Sequence, residues 1–105
     1  MLNIQMEFRK GVLFVRLYNE LNSNTIDIFK KEVKEVIINS GILYVVINVS
    51  NLSSISKEGI YEIKNLKRII NKMNGKLFIY GGEFKELKTL IKLENELNVF
   101  ERVVI

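Results

Sequence analysis

The feature that most constrains this chain is the run at 43–49, Leu-Tyr-Val-Val-Ile-Asn-Val, apolar almost without interruption and rich in β-branched residues. It has the length of a strand and falls far short of the ~20 residues that a membrane helix needs. Because it does not alternate, it reads as a strand buried on both faces, the usual condition in a parallel sheet. The period changes on both sides of it. Over 25–38, Ile26, Phe29, Val33 and Ile37 recur at helical spacing, while Lys30, Lys31, Lys34 and Glu35 fill the outer face. Asn24 or Ser23 is placed to cap that helix, and Asn39-Ser40-Gly41 to stop it. Over 57–73 a second helix carries Ile63, Leu66, Ile69, Ile70 and Met73 inward and ends at Asn74-Gly75. A buried strand between two amphipathic helices predicts parallel neighbours joined by right-handed crossovers.

The remaining segments complete that pattern. Ile4, Met6 and Phe8 alternate with polar residues over 3–8, and 12–18 is apolar on both faces, so the chain opens with a hairpin turning at Arg9-Lys10-Gly11. A polar loop is expected at 50–56, a short buried strand at 77–80, a third helix at 83–92 with Phe84, Leu87 and Ile91 inward, and a last strand at 99–105. The predicted class is α/β: one mixed β-sheet, an N-terminal hairpin followed by alternating helices and strands, in the order β-β-α-β-α-β-α-β. The 105 residues read as a single domain, 1–105, without linker or repeat. Residues 1–9 alternate instead of showing a basic stretch before an apolar one, so a cytoplasmic, soluble protein is expected.

Two absences narrow the chemistry. With no cysteine and no histidine, the chain has no disulfide, no Cys/His zinc site, no thiol nucleophile and no imidazole base. No catalytic residue, metal or cofactor is assigned. Ser54 and Lys57 stand at Ser-x-x-Lys spacing, but the companion motifs of that acyl-transfer class are missing. Gly81-Gly82 lies between a predicted strand and helix without the fuller glycine patterns of phosphate loops, and a tight turn explains it. The net charge is +4. The chain also holds 15 Ile, 12 Asn and 12 Lys but no Ala, the bias of AT-rich coding, which raises lysine without functional demand. Nucleic acid is therefore not the expected partner. Lys57, Tyr61, Lys64, Arg68 and Lys72 nevertheless form a basic strip on the second helix, either a solvated face or a partner surface.

The stretch 44–59, Tyr-Val-Val-Ile-Asn-Val-Ser-Asn-Leu-Ser-Ser-Ile-Ser-Lys-Glu-Gly, resembles the strand-and-loop signature of STAS domains, the family of sulfate-transporter tails and bacterial anti-sigma factor antagonists. Glu20-Leu21-Asn22 stands where that family has Gly-Glu-Leu-Asp, and Asn74-Gly75-Lys76-Leu77 where it has Gly-Gly followed by apolar residues. The resemblance spans almost the whole chain. It implies a non-enzymatic, protein-binding regulator of transcription signalling, whose partner is an anti-sigma factor or kinase-like protein. The partner surface it implies comprises Asn22, Ser53, Ser54, Ser56, Lys57, Glu58, Gly59 and Tyr61. A STAS subunit of a transporter ATPase, or a module sensing a small molecule or nucleotide, is the alternative.

The sequence departs from the family at the residue that matters most. The family's loop reads Asp-Ser-Ser-Gly or Asp-Ser-Thr-Gly, its first serine receiving phosphate from the partner kinase. Here the four positions are Ser56, Lys57, Glu58 and Gly59. Lysine cannot take phosphate on oxygen, so the resemblance implies binding without the usual serine switch, with Ser56 the nearest remaining hydroxyl.

Overall fold

The computed structural model describes residues 1–81. The helix expected at 83–92, the strand expected at 99–105, and Gly82 lie outside them. A four-stranded sheet runs β1 (Asn3–Arg9), β2 (Val12–Leu21), β3 (Tyr44–Ile55) and β4 (Lys76–Tyr80), in that spatial order. β1 and β2 pair antiparallel from Asn3↔Tyr18 to Arg9↔Val12, so their turn has two residues. Lys10 and Gly11 both have positive φ, 50° and 84°, the conformation that matches the twist of a tight hairpin. β3 pairs parallel with both β2 and β4. The mixed sheet with its leading hairpin is the predicted architecture.

Both helices cover the same face. The first is continuous through Ile26–Phe29, Lys30–Lys34 and Glu35–Ser40, its middle piece wound with π-type hydrogen bonds. The second is Lys57–Lys72. Phe29, Val33 and Ile37 from one, and Ile63, Leu66 and Ile70 from the other, are fully buried against Leu13, Val15, Leu17, Val45, Ile47, Val49, Leu77 and Ile79. The opposite face carries a smaller cluster of Val12, Phe14, Val46 and Phe78, with Arg9 stacked 4.9 Å above the Phe14 ring. Val45 and Val46 are thus both buried, on opposite faces, as the unalternating run requires.

Three local expectations are corrected. Residues 50–55 are not a loop but the continuation of β3, reaching Ile55 beside Leu21. The pairing slips twice, between Arg16/Tyr18 and between Asn19/Glu20, each time leaving one extra residue on β3. Each bulge shifts the inward positions by one, so apolar residues fall at Val49, Leu52 and Ile55 rather than at alternate positions. A period of three among serines and asparagines is what made this strand look like a loop. Second, neither Asn24 nor Ser23 caps the first helix. Thr25 occupies the cap position, and its hydroxyl turns back to donate to Glu20 O at 3.1 Å while accepting from Asn22 N–H. Third, Ile69 and Met73 are only half-buried, because the inward stripe of the second helix is centred on Ile63, Leu66 and Ile70.

Both helix stops are as expected. Gly41 has φ 63° and ends the first helix. At the end of the second, Asn74 has φ 65° and Gly75 N–H donates to Ile70 O. A Cβ on Gly75 would collide with the Leu43 carbonyl oxygen, which itself accepts from Lys76 N–H at 2.8 Å, so the chain can enter β4 here only as glycine. Gly81 is also in a positive-φ turn, at 75°, against Ser50 and Asn48.

The burial pattern makes a discriminating pair of variants. Ile63→Asp puts an unpaired charge into the sheet–helix interface, at a cost comparable with the whole stability of a small domain, about 5–15 kcal/mol. It should show no cooperative melt by circular dichroism. Ile69→Asp, half in solvent, should remain folded with a lowered Tm; equal damage from both would show that the stripe is wrongly centred.

Candidate functional site

The end of β2, the end of β3 and the starts of both helices meet at one end of the sheet, beyond its two central strands. Two short contacts bring them together. Ser56 N–H donates to Leu21 O at 2.9 Å, closing β3 onto β2 just before the second helix begins. Gly59 then packs so tightly that a Cβ would lie 2.9 Å from Leu21 Cγ and 3.0 Å from both Ile55 Cγ1 and Leu21 O. Here glycine serves close approach, not unusual backbone geometry.

Each serine of the segment is engaged. Ser53 Oγ donates to Asn19 O at 2.9 Å, and Ser54 Oγ donates to Glu20 Oε1 at 3.3 Å. Both hydroxyls thus satisfy the irregular end of β2, where Asn19 has φ 78°. Ser54 does not pair with Lys57, which forms no ion pair or hydrogen bond among the described residues, so the Ser-x-x-Lys spacing assembles no nucleophile. Ser56 is the N-cap of the second helix, its Oγ accepting Gly59 N–H at 3.2 Å. Asn22 follows Leu21 directly and organises the turn into the first helix, its Oδ1 accepting Asn24 N–H at 2.9 Å.

Lys57 and Glu58 are exposed at the first turn of the second helix. The Glu58 carboxylate accepts its own backbone N–H and the Ser56 hydroxyl, and these hold its pKa below the ordinary 4.5 against the opposing effect of burial, with Lys57 adding a smaller pull in the same direction. A carboxylate at a helix N-terminus also gains from the dipole.

Beside it lies a groove of about 360 Å³, lined by Ile26 and Lys30 of the first helix and by Lys57, Glu58, Tyr61 and Glu62 of the second. Glu62 is 4% exposed and accepts from Lys34 Nζ at 3.3 Å, with Lys30 Nζ at 3.9 Å. This pairing ties the two helices across the groove, and it means that Lys30 and Lys34 face the second helix instead of simply filling an outer face. Ile26, Lys30 and Glu62 were not among the sequence-predicted site residues. Glu62 carried a signal, being the one acidic residue among the inward positions Gly59, Ile60, Ile63 and Leu66. Of the predicted set, the structure gathers Asn22, Ser53, Ser54, Ser56, Lys57, Glu58 and Gly59 at this end of the sheet and places Tyr61 one turn further along, 60% exposed. Among the described residues no group of acidic side chains could hold a metal ion, and no helix is long and apolar enough to cross a membrane.

Two variants test this geometry. Gly59→Ala gains helix propensity of about 1 kcal/mol but overpacks against Leu21 and Ile55 at a larger cost, so urea denaturation should show a net loss of up to about 2 kcal/mol. A net gain would mean that the contact is looser than 2.9–3.0 Å. For Glu58 the folded pKa lies below the unfolded one, so its contribution is present above about pH 4.5 and is lost as pH falls through the folded value. Between about pH 5 and pH 3 the stability of the wild type should therefore fall more steeply than that of Glu58→Gln. Parallel profiles would show that the carboxylate is free in solution.

Comparison with known proteins places this arrangement. The sequence model of the STAS domain matches residues 3–104. An anti-sigma F factor antagonist from Paenibacillus polymyxa is 31% identical over 78 residues, which cover 74% of this chain and 67% of that protein. The solved anti-sigma factor antagonist SpoIIAA is similar in its unphosphorylated form, with a TM-score of 0.74 at 15% identity over 96% of this chain and 97% of that one. The phosphorylated form of the Bacillus cell fate determinant SpoIIAA gives a TM-score of 0.72 at 14% identity, over 96% and 99%. A mixed sheet with a leading hairpin, two helices on one face and a site at the start of the second are thus found in a chain that belongs to the STAS domain family.

Proposed function

We propose that this protein is a non-enzymatic regulator that acts as an anti-sigma factor antagonist, binding an anti-sigma factor or kinase-like partner in the cytoplasm through the edge formed by Asn22, Ser53, Ser54, Ser56, Lys57, Glu58, Gly59 and Tyr61. The kinship with the Paenibacillus antagonist supports the class of partner. The absence of cysteine and histidine, and the engagement of each serine in a structural hydrogen bond, favour binding over catalysis.

The observation that carries the regulatory part is the start of the second helix. By resemblance, Lys57 occupies the position that receives phosphate in the family. A phosphate there would be held by free N–H groups and the helix dipole, and its charge of about −1.5 to −2 would alter the surface a partner meets. Here Glu58 already accepts its own N–H, Ser56 caps Gly59, and position 57 is a fixed cation. Binding is then constitutive, or controlled elsewhere.

Incubation with an anti-sigma kinase and ATP, read by mass spectrometry, tests this. The wild type should remain unmodified, while Lys57→Ser should accept phosphate at position 57. Ser56 is a poor substitute acceptor, because its oxygen is directed onto the helix N–H groups. Stoichiometric phosphate on wild-type Ser56, abolished in Ser56→Ala, would restore an ordinary phospho-switch and overturn constitutive binding.

A further inference from the structure

The exposed face of the second helix holds more positive charge than the helix neutralises. Lys57, Lys64, Arg68 and Lys72 are all exposed, and none of them makes an ion pair or hydrogen bond among the described residues. The acids of this helix are confined to its first two turns and are already engaged. Glu62 is buried with Lys34 and Lys30, and Glu58 accepts its own N–H and the Ser56 hydroxyl. Fifteen steps of an α-helix extend the strip over about 22 Å. Tyr61, 60% exposed, stands within it and also lines the groove against Ile26, so cationic strip and apolar recess are continuous.

We propose that the exposed face of Lys57–Lys72 and the groove at its start are one docking surface for an acidic amphipathic helix of a partner protein, with carboxylates against Lys64, Arg68 and Lys72 and an apolar side chain between Ile26 and Tyr61. The inference rests on the reading of the chain as a protein-binding regulator and adds to it the chemistry of the partner. The spacing supports a helix, since Lys64, Arg68 and Lys72 repeat every four residues and would meet acids repeated at the same interval. Charge complementarity of this kind steers encounter and sets register. A nucleic-acid backbone fits less well, because its regular phosphates would be carried onto Glu58 at the groove end. A lipid surface fits less well too, since this face has no aliphatic residue to insert.

The test uses the isotopically labelled full chain and a synthetic helical peptide of about four turns, with glutamate at every fourth position and one leucine near an end. Amide shifts should move at Tyr61, Lys64, Arg68 and Lys72. Affinity should fall at least tenfold between about 50 and 300 mM NaCl, as expected for contacts that salt screens. The double variant Lys64→Glu/Arg68→Glu should bind the peptide at least tenfold more weakly, with an unchanged circular dichroism spectrum. Unaltered peptide affinity in that variant, or tighter binding of a single-stranded oligonucleotide or phosphatidylserine vesicles than of the peptide, would overturn the proposal. The anti-sigma F factor of Paenibacillus polymyxa provides a second arm. Equal binding of it by wild type and double variant would leave the regulatory reading standing and remove the docking surface. Peptide binding that obeys the charge change, with no binding of the anti-sigma factor, would do the reverse.

Discussion

The whole site depends on how closely the second helix approaches the end of β2. The Ser56 N–H to Leu21 O bond stops β3, and the bare Cα of Gly59 lets the helix begin against the Leu21 and Ile55 side chains without a gap. A side chain at position 59 would push the first turn away from the sheet. Ser56, Lys57, Glu58 and Tyr61 would move with it, since all lie within the first two turns of one rigid helix.

Polar groups at this edge are satisfied locally and in a dense order. Two bulges on β3 disturb the ladder to β2, and the hydroxyls of Ser53 and Ser54 return hydrogen bonds to Asn19 and Glu20. A bulge re-aims side chains at the cost of regular pairing, and here it carries β3 out to Ile55 with the serines on its exposed side. Glu62 shows the same economy in the core. A buried carboxylate is costly unless paired, and the two lysines that reach it come from the other helix, so one interaction both neutralises the charge and fixes the spacing of the helices. Among the described residues, Glu58 and Glu62 are thus engaged within the chain, whereas Lys57 forms no ion pair or hydrogen bond.

Several elements were legible in the linear order of residues because they depend on neighbours close in sequence. The run 43–49 read most naturally as a strand buried on both faces, and Val45 and Val46 are buried accordingly, although Leu43 precedes β3 and Leu43 and Tyr44 are exposed. Phe29, Val33 and Ile37 recur at helical spacing, which places them on one face whatever they pack against. Gly41 and Asn74-Gly75 stop helices by their own backbone preferences. The Ser56 cap is local in the same sense, since capping is a contact over three residues.

Other features required the folded chain. That 50–55 is strand depends on β2 offering a pairing edge as far as Leu21 and on two register slips that no local pattern specifies. The stripe of the second helix is centred away from Ile69 because its orientation is set by the sheet beneath, not by its own composition. Asn22 and Ser54 are 32 positions apart yet belong to one end of the sheet, and the groove joins Ile26 and Lys30 to Tyr61 and Glu62 across a similar distance in sequence. By itself, then, the sequence determined the order of the elements among the described residues and the cation at position 57, since these follow from short-range periodicity and residue identity. Which charges are paired, as Glu62 is with Lys30 and Lys34, was decided only by the tertiary structure, because Coulomb pairing depends on distances between residues that the chain brings together only when it folds.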